Sequence, residues 1–221
     1  MSSSAEPTHH PDPRWDWALP AVQAALAARR PRRVLLLCGA GANPQFALSP
    51  DVELTCATLA PRAAAHAVAC RPDDLPFQSR VFEALIVVAV LGDGAEPAFS
   101  ELRRVLEPGG LLLVLGEGQC SRLRRYKTLA HAGPAIRLGR LRRSMAAQSF
   151  ELERGLGHGL AGWKLDTGTG WRRPLLALSD AILLVARHHG RQPVVTPLRF
   201  AHPQALGSRS TVLDGLNRAA P

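Results

Sequence analysis

Two glycines, Gly39 and Gly41, close an apolar run over residues 33–41, RVLLLCGAG. An unbroken stretch of Val and Leu predicts a buried strand. The glycines predict a tight turn, where the backbone can pass close to a ligand. In an open α/β sheet, nucleotides and nucleotide-like cofactors bind at the carboxyl ends of such strands. Other chemistries have less support. There is no Ser-His-Asp order, no HExxH helix and no Walker loop, which sets aside the hydrolase, zinc-protease and P-loop readings. Cys38, Cys56, Cys70 and Cys120 are scattered without a CxxC pair, as expected of reduced thiols in a cytoplasmic protein. The doublet His9-His10 lies in a Ser- and Pro-rich start, so no metal site is expected.

The elements that must position the glycine turn follow from periodicity. Residues 17–30, WALPAVQAALAARR, predict a helix with basic residues at its negative end. Residues 42–47 would begin a helix after the turn, held to its first turn by Pro44. Residues 52–56 alternate as a second strand, and Ala-rich residues 61–70 predict a helix. Residues 71–77, RPDDLPF, read as a loop, and 82–91, FEALIVVAVL, as a strand buried on both faces. Residues 97–106 carry Ala98, Leu102, Val105 and Leu106 at helical spacing, stopping at Pro108-Gly109-Gly110 before the apolar strand 111–115. This alternation predicts an α/β fold, a doubly wound and mostly parallel sheet. Farther on, 137–148 predict a helix with Arg140, Arg142 and Arg143 outward. Residues 150–154 predict a strand, 175–178 a short helix, and 181–186 a strand of edge or antiparallel type. Gly155, Gly157, Gly159, Gly162, Gly168 and Gly170 surround Trp163 and Trp171. They read as long loops, with a mobile lid as the alternative.

The chain has 221 residues, 46% of them hydrophobic, enough for one domain with a sizeable core. Residues 14–192 are read as that domain, 1–13 as a disordered tail and 193–221 as an irregular one. No apolar run reaches the roughly 18 residues of a membrane span, and no leader-type apolar segment opens the chain. The net charge of +9 is concentrated: residues 121–150 carry eight Lys or Arg and no acid. Arg122, Arg124, Arg125, Arg140, Arg142 and Arg143 there suit a phosphate-rich or protein partner, or form a solvated helix face.

Three pieces in fixed order carry a resemblance: Asp74-Leu75-Pro76-Phe77, then Val81-Phe82-Glu83-Ala84, then residues 101–110, ELRRVLEPGG. Together with the glycine turn, they resemble the class I S-adenosylmethionine-dependent methyltransferases over residues 32–118. The resemblance implies a Rossmann-like sheet with an antiparallel C-terminal strand, S-adenosylmethionine as cofactor and a small-molecule acceptor. It places the cofactor against Leu37, Cys38, Gly39, Ala40, Gly41, Thr58, Leu59, Asp73, Asp74, Leu75 and Ala89.

Several family positions differ here. The first-strand acid falls on Leu35 or Leu36, and the first glycine of the loop on Leu37. The acid that accepts the ribose hydroxyls falls near Thr58. The acid for the adenine amino group falls near Arg71, with Asp73 and Asp74 close by. The strand-end acid after Phe82 survives only as Glu83. A hydrogen bond to a charged group contributes roughly 1.5–3 kcal/mol, so loss of the ribose carboxylate implies about ten- to a hundredfold weaker binding. Candidate bases for the acceptor are Tyr126, His131, His158 and Asp166, each also explained as an ordinary loop or surface residue. His188-His189 reads as a solvated strand end. The functions in view are a methyltransferase with a degenerate cofactor motif, an inactive relative kept as a binding or scaffold module, and a basic accessory protein on nucleic acid.

Overall fold

The computed structural model describes residues 13–39, 42, 44–46, 48–59, 67–92, 94–119, 134–159, 164–166 and 173–189. All of them belong to one compact unit, Met1–Arg191. The tails expected over 1–13 and 193–221 lie outside the described residues apart from Pro13, as do Ala40, Gly41, Arg122, Arg124, Arg125, Tyr126, His131, Trp163 and Trp171.

The apolar runs form the expected strands: β1 (Arg33–Cys38), β2 (Glu53–Thr58), β3 (Val68–Ala69), β4 (Phe82–Val88) and β5 (Leu106–Gly118). Then come β6 (Ala135–Ile136), β7 (Phe150–His158), β8 (Lys164–Asp166) and β9 (Ala181–His188). Among the described residues they make one sheet in the order β3-β2-β1-β4-β5-β9-β7-β8, with β6 beside the end of β5. β1 to β6 pair in parallel, whereas β9 runs antiparallel to both β5 and β7. The order turns at β1: β2 lies on one side and β4 on the other, which creates a switch point at their carboxyl ends.

Alternate residues of the central strands feed two cores. Leu35, Leu37, Leu85, Val87, Leu112, Val114, Ile182 and Leu184 face α2 (Glu96–Val105) and α3 (Leu138–Ala147). Val34, Leu36, Ile86, Val88, Leu113, Leu115 and Leu183 face α1 (Leu19–Arg29) and a preceding 3-10 turn, Pro13–Ala18. Helix α2 buries Ala98, Phe99, Leu102 and Val105, and its two largest apolar side chains contribute about 1.5–3 kcal/mol each. Arg140, Arg142 and Arg143 are exposed on α3, as the spacing predicted.

Some expectations change. Trp17 and Ala18 are in the 3-10 turn, because Pro20, without an N–H, fits only the first turn of an α-helix. No described residue between Gly39 and Val52 is helical, so the start of a helix expected at 42–47 does not form at Ala42 or at 44–46. That crossover buries Pro44. Between it and α1 a cavity of about 930 Å³ opens at the amino end of the sheet, lined by Leu26, Arg30, Arg32, Val34, Asp51 and Val52 among others. Val68 and Ala69 pair with Ala57 and Thr58 as β3, where the end of a helix was expected. The carbonyl of Thr58 finds its partner in the Cys70 N–H, 3.0 Å away. The glycines at 155 and 157 are not in a loop; they lie in β7.

His188 also departs from expectation. It is only 5% exposed, packs on Phe150 (centroids 5.4 Å apart) and has Nδ1 3.3 Å from the Glu107 carbonyl. His189 alone is exposed, beside Glu151. Burial, outweighing the Glu107 carbonyl, holds the His188 pKa below its ordinary 6.5; Arg103, His189 and Arg80 add to the lowering. The native state therefore keeps this ring neutral while the unfolded chain takes up a proton first. Stability is expected to fall as pH drops through 6.5 toward the lower native value. Urea midpoints at several pH values, flattened there by His188→Gln, check this.

Candidate functional site at the carboxyl ends of the strands

β1, β2 and β4 end together. Cys38 stands opposite Thr58, the Leu59 N–H donates to the Cys38 carbonyl at 3.0 Å, and the Gly39 N–H donates to the Val88 carbonyl at 2.8 Å. A Cβ on Gly39 would lie 2.1 Å from the Ala89 carbonyl oxygen. Glycine is thus required here because two main chains close on each other. Ala89 itself is buried with φ +56°, a left-handed conformation that costs an alanine about 1–2 kcal/mol. Such strain is retained where neighbours over-determine the backbone, and it gathers at functional sites.

The candidate residues separate into groups. Leu37 is 1% exposed and packs with Leu35, Leu75 and Val87, so its isobutyl group points into the core below the turn. Thr58, the last residue of β2, is 4% exposed. Cys38 is half-buried; burial, then the neighbouring Cys56 thiol, push its pKa up to about 12, which leaves it without nucleophilic character at neutral pH. Cys56 and Cys70 are also free thiols raised by burial.

Asp73 and Asp74 lie in an exposed turn from Arg71 to Asp74. Arg71 grips both Asp73 oxygens, from Nε at 3.1 Å and Nη2 at 2.9 Å, and these hydrogen bonds hold the carboxyl below its ordinary range. The turn leads into buried Leu75, which α2 fixes in place. Glu101 accepts the Leu75 N–H at 3.1 Å; Arg104 donates to the carbonyls of Leu75 at 2.8 Å and Phe77 at 2.7 Å, and to Glu101 at 2.7 Å. Two of the motif pieces are therefore joined through one guanidinium.

Of the candidate bases, Asp166 lies on the outermost strand, β8, paired with Arg154. Tyr126 and His131 lie outside the described residues. His158 ends β7 at the same end of the sheet as Gly39 and stacks on Trp17, centroids 5.4 Å apart and planes at 18°. Sequence reasoning missed Glu117 and Asp180, which are 3% and 8% exposed at the ends of β5 and β9. A signal was available: in LLLVLGEGQ a charge sits between two glycines at the end of an apolar strand. Gly118 is required there, since a Cβ would meet the Ser179 carbonyl oxygen at 1.9 Å.

No protein-family model and no curated protein sequence matches the chain. Solved structures do. The N-methyltransferase NodS from Bradyrhizobium japonicum, in complex with S-adenosyl-L-homocysteine, superposes with TM-score 0.56 at 16% identity over 85% of this chain and 94% of that one. The YcgJ protein from Bacillus subtilis gives TM-score 0.55 at 14% identity, covering 79% of this chain and 99% of that one. The CurJ carbon methyltransferase gives 0.53 at 16% identity, covering 79% of this chain and 54% of that one. Nitrogen and carbon methyltransferases share this architecture, so the sheet alone does not name an acceptor. Strand order, direction and these superpositions together establish that the chain has the class I fold of the S-adenosylmethionine-dependent methyltransferases.

Proposed function

We propose that this chain is a divergent S-adenosylmethionine-dependent methyltransferase that binds its cofactor weakly and acts on a small molecule. The observation that carries the proposal is the strained, buried Ala89 pressed on Gly39 at the switch point between β1 and β4. In this reading the backbone frame cradles the cofactor, with neutral side chains where the resemblance places carboxylates. Gly39 would hold the amino-acid part, the Thr58 hydroxyl and Leu59 the ribose, and Asp74 and Leu75 the adenine. When bound, the cofactor supplies an electrophilic methyl group. The chain's own task is to hold the acceptor in line with it and exclude water. NodS, which has the same fold, is bound to the demethylated cofactor in its structure.

A second reading, a binding or scaffold module without transfer, is favoured by two observations. Thr58 is neutral where the resemblance places the ribose acceptor, and Asp73 is already committed to Arg71. Exposed Arg140, Arg142 and Arg143 on α3 would then meet a phosphate-rich or protein partner.

Cofactor binding divides the two. A ligand at a hundred times its Kd stabilises the native state by about 2.7 kcal/mol, so S-adenosylmethionine or its demethylated product should raise the melting temperature. Thr58→Asp is expected to tighten calorimetric binding by about ten- to a hundredfold. It should also lower stability without ligand, because the new carboxylate is buried. No shift in either protein leaves the module reading standing.

A further inference from the structure

We propose that the cavity at the amino end of the sheet binds a singly charged carboxylate carried on an apolar body. This site is separate from the one at the strand carboxyl ends, because β1, six residues long, keeps the two roughly 15–20 Å apart. Leu26 of α1, Val34 of β1, and Leu48 and Val52 of the crossover to β2 make its apolar side. At about 930 Å³ it lies within the range that accepts small molecules.

The charge on its rim comes from four arginines around Pro31, the run RRPRR over residues 29–33. The outer two are already engaged: Arg29 pairs with Glu153 at 3.0 Å and Arg33 with Glu107 at 2.8 Å. The inner two, Arg30 and Arg32, line the cavity, and neither guanidinium makes an ion pair with a described residue. Their main chain is fixed. Arg32 donates its N–H to Glu83 Oε2 at 3.0 Å, and its carbonyl accepts the Glu53 N–H at 2.7 Å. Arg30 caps α1 in the left-handed region, φ +49°, and donates its N–H to the Leu26 carbonyl at 2.7 Å. Glycine fits such a cap without strain, and the chain places a guanidinium there instead.

Asp51 is the other charged residue lining the cavity. Two guanidiniums against one carboxylate leave a single positive charge to be matched. A monoanion suits that balance, and a dianion such as a phosphate monoester exceeds it. A planar guanidinium meets a carboxylate through paired N–H donors, and Ser49 adds a hydroxyl to the same lining. The apolar side then covers the body of the ligand, which a bare inorganic anion lacks.

The test compares octanoate with 1-octanol, its neutral counterpart of equal chain length, on the full chain at neutral pH and low salt. Calorimetry reads the affinities, and the amide resonances of Leu48, Ser49 and Val52 report the location. Octanoate is expected to bind about tenfold more tightly, the lower end for a charge-assisted hydrogen bond because both arginines are exposed. The double change Arg30→Gln and Arg32→Gln should bring octanoate down to the affinity of 1-octanol. Ala27→Trp, at an exposed lining position on α1, should block both probes. Equal affinities for the two probes in the native chain, or binding of neither, overturn the site whether or not any variant folds. A preference that survives the double change overturns the assignment to the two arginines. Shifts confined to Gly39, Leu59 and Ala89 would put the carboxylate at the other end of the sheet and overturn the location. No arm contains S-adenosylmethionine, so the outcome stands whether or not the chain binds that cofactor.

Discussion

Gly39→Ala is expected to destabilise the protein by about 4 kcal/mol, a loss reserved for a few severe mechanisms. The cause is a main-chain collision: the added Cβ would sit 2.1 Å from the Ala89 carbonyl oxygen and 2.8 Å from its carbon. No rotamer change relieves such a contact, because neither partner is a side chain. The strands could separate only by breaking the Gly39 N–H bond to the Val88 carbonyl at 2.8 Å, or that of Ala89 to Leu115 at 2.9 Å. Urea denaturation measures the effect. A second change, Ala89→Gly, is not expected to rescue it, since the colliding oxygen belongs to the main chain. A loss below about 1 kcal/mol, within the ordinary range of point substitutions, would show that β1 and β4 do not approach this closely.

The second large effect is expected at Arg104. Arg104→Ala should cost about 3 kcal/mol, because it removes charged hydrogen bonds to the Leu75 and Phe77 carbonyls together with the Glu101 pair. Individual charged bonds can reach that figure alone; the sum is kept low because the Arg104 side chain remains 34% exposed and partly solvated. Arg104→Lys should recover only part of the loss, since an ammonium cannot span two carbonyls and a carboxylate with a fixed fork. Hydrogen exchange should locate the damage at residues 71–77, with the sheet less affected.

The pair also makes an acid-side prediction. The Arg104 hydrogen bond, more than the Leu75 N–H and the Arg104 charge, holds the Glu101 pKa below its ordinary 4.5. A depressed carboxylate adds stability that is complete above 4.5 and lost as pH falls through the native value, because the unfolded chain binds the proton first. Urea midpoints of the native chain and Arg104→Ala should therefore draw closer between pH 6 and pH 3 without meeting, since the bonds from Arg104 to the Leu75 and Phe77 carbonyls do not titrate.

Much of this was legible in the chain itself. Apolar runs at 33–38, 82–88 and 111–115 mark central strands because both of their faces must be dry, and periodicity placed α2 and α3 within two residues. The order of motif pieces gave the fold because they mark successive strand ends of a single sheet. What local pattern misled were segments whose conformation is set by partners. Residues 68–69 are Ala-rich surroundings in sequence and a strand in space, because the edge of β2 needed hydrogen-bond partners. His188 is polar at the end of a strand, yet Phe150 and the Glu107 carbonyl enclose it.

The residues on which function would turn divide in the same way. Sequence alone determined that glycines follow the first strand and that neutral Thr58 and basic Arg71 stand where the resemblance places acids, since side-chain chemistry is written in residue type. Only the tertiary structure decided that the Ala89 carbonyl leaves no room for a side chain at residue 39 and that Leu37 is core. It also brought Arg30 and Arg32 to one cavity with Leu48 and Val52, a juxtaposition that the path of the crossover beside α1 creates. Local preference acts over a few residues; contacts between distant strands depend on how the whole sheet closes.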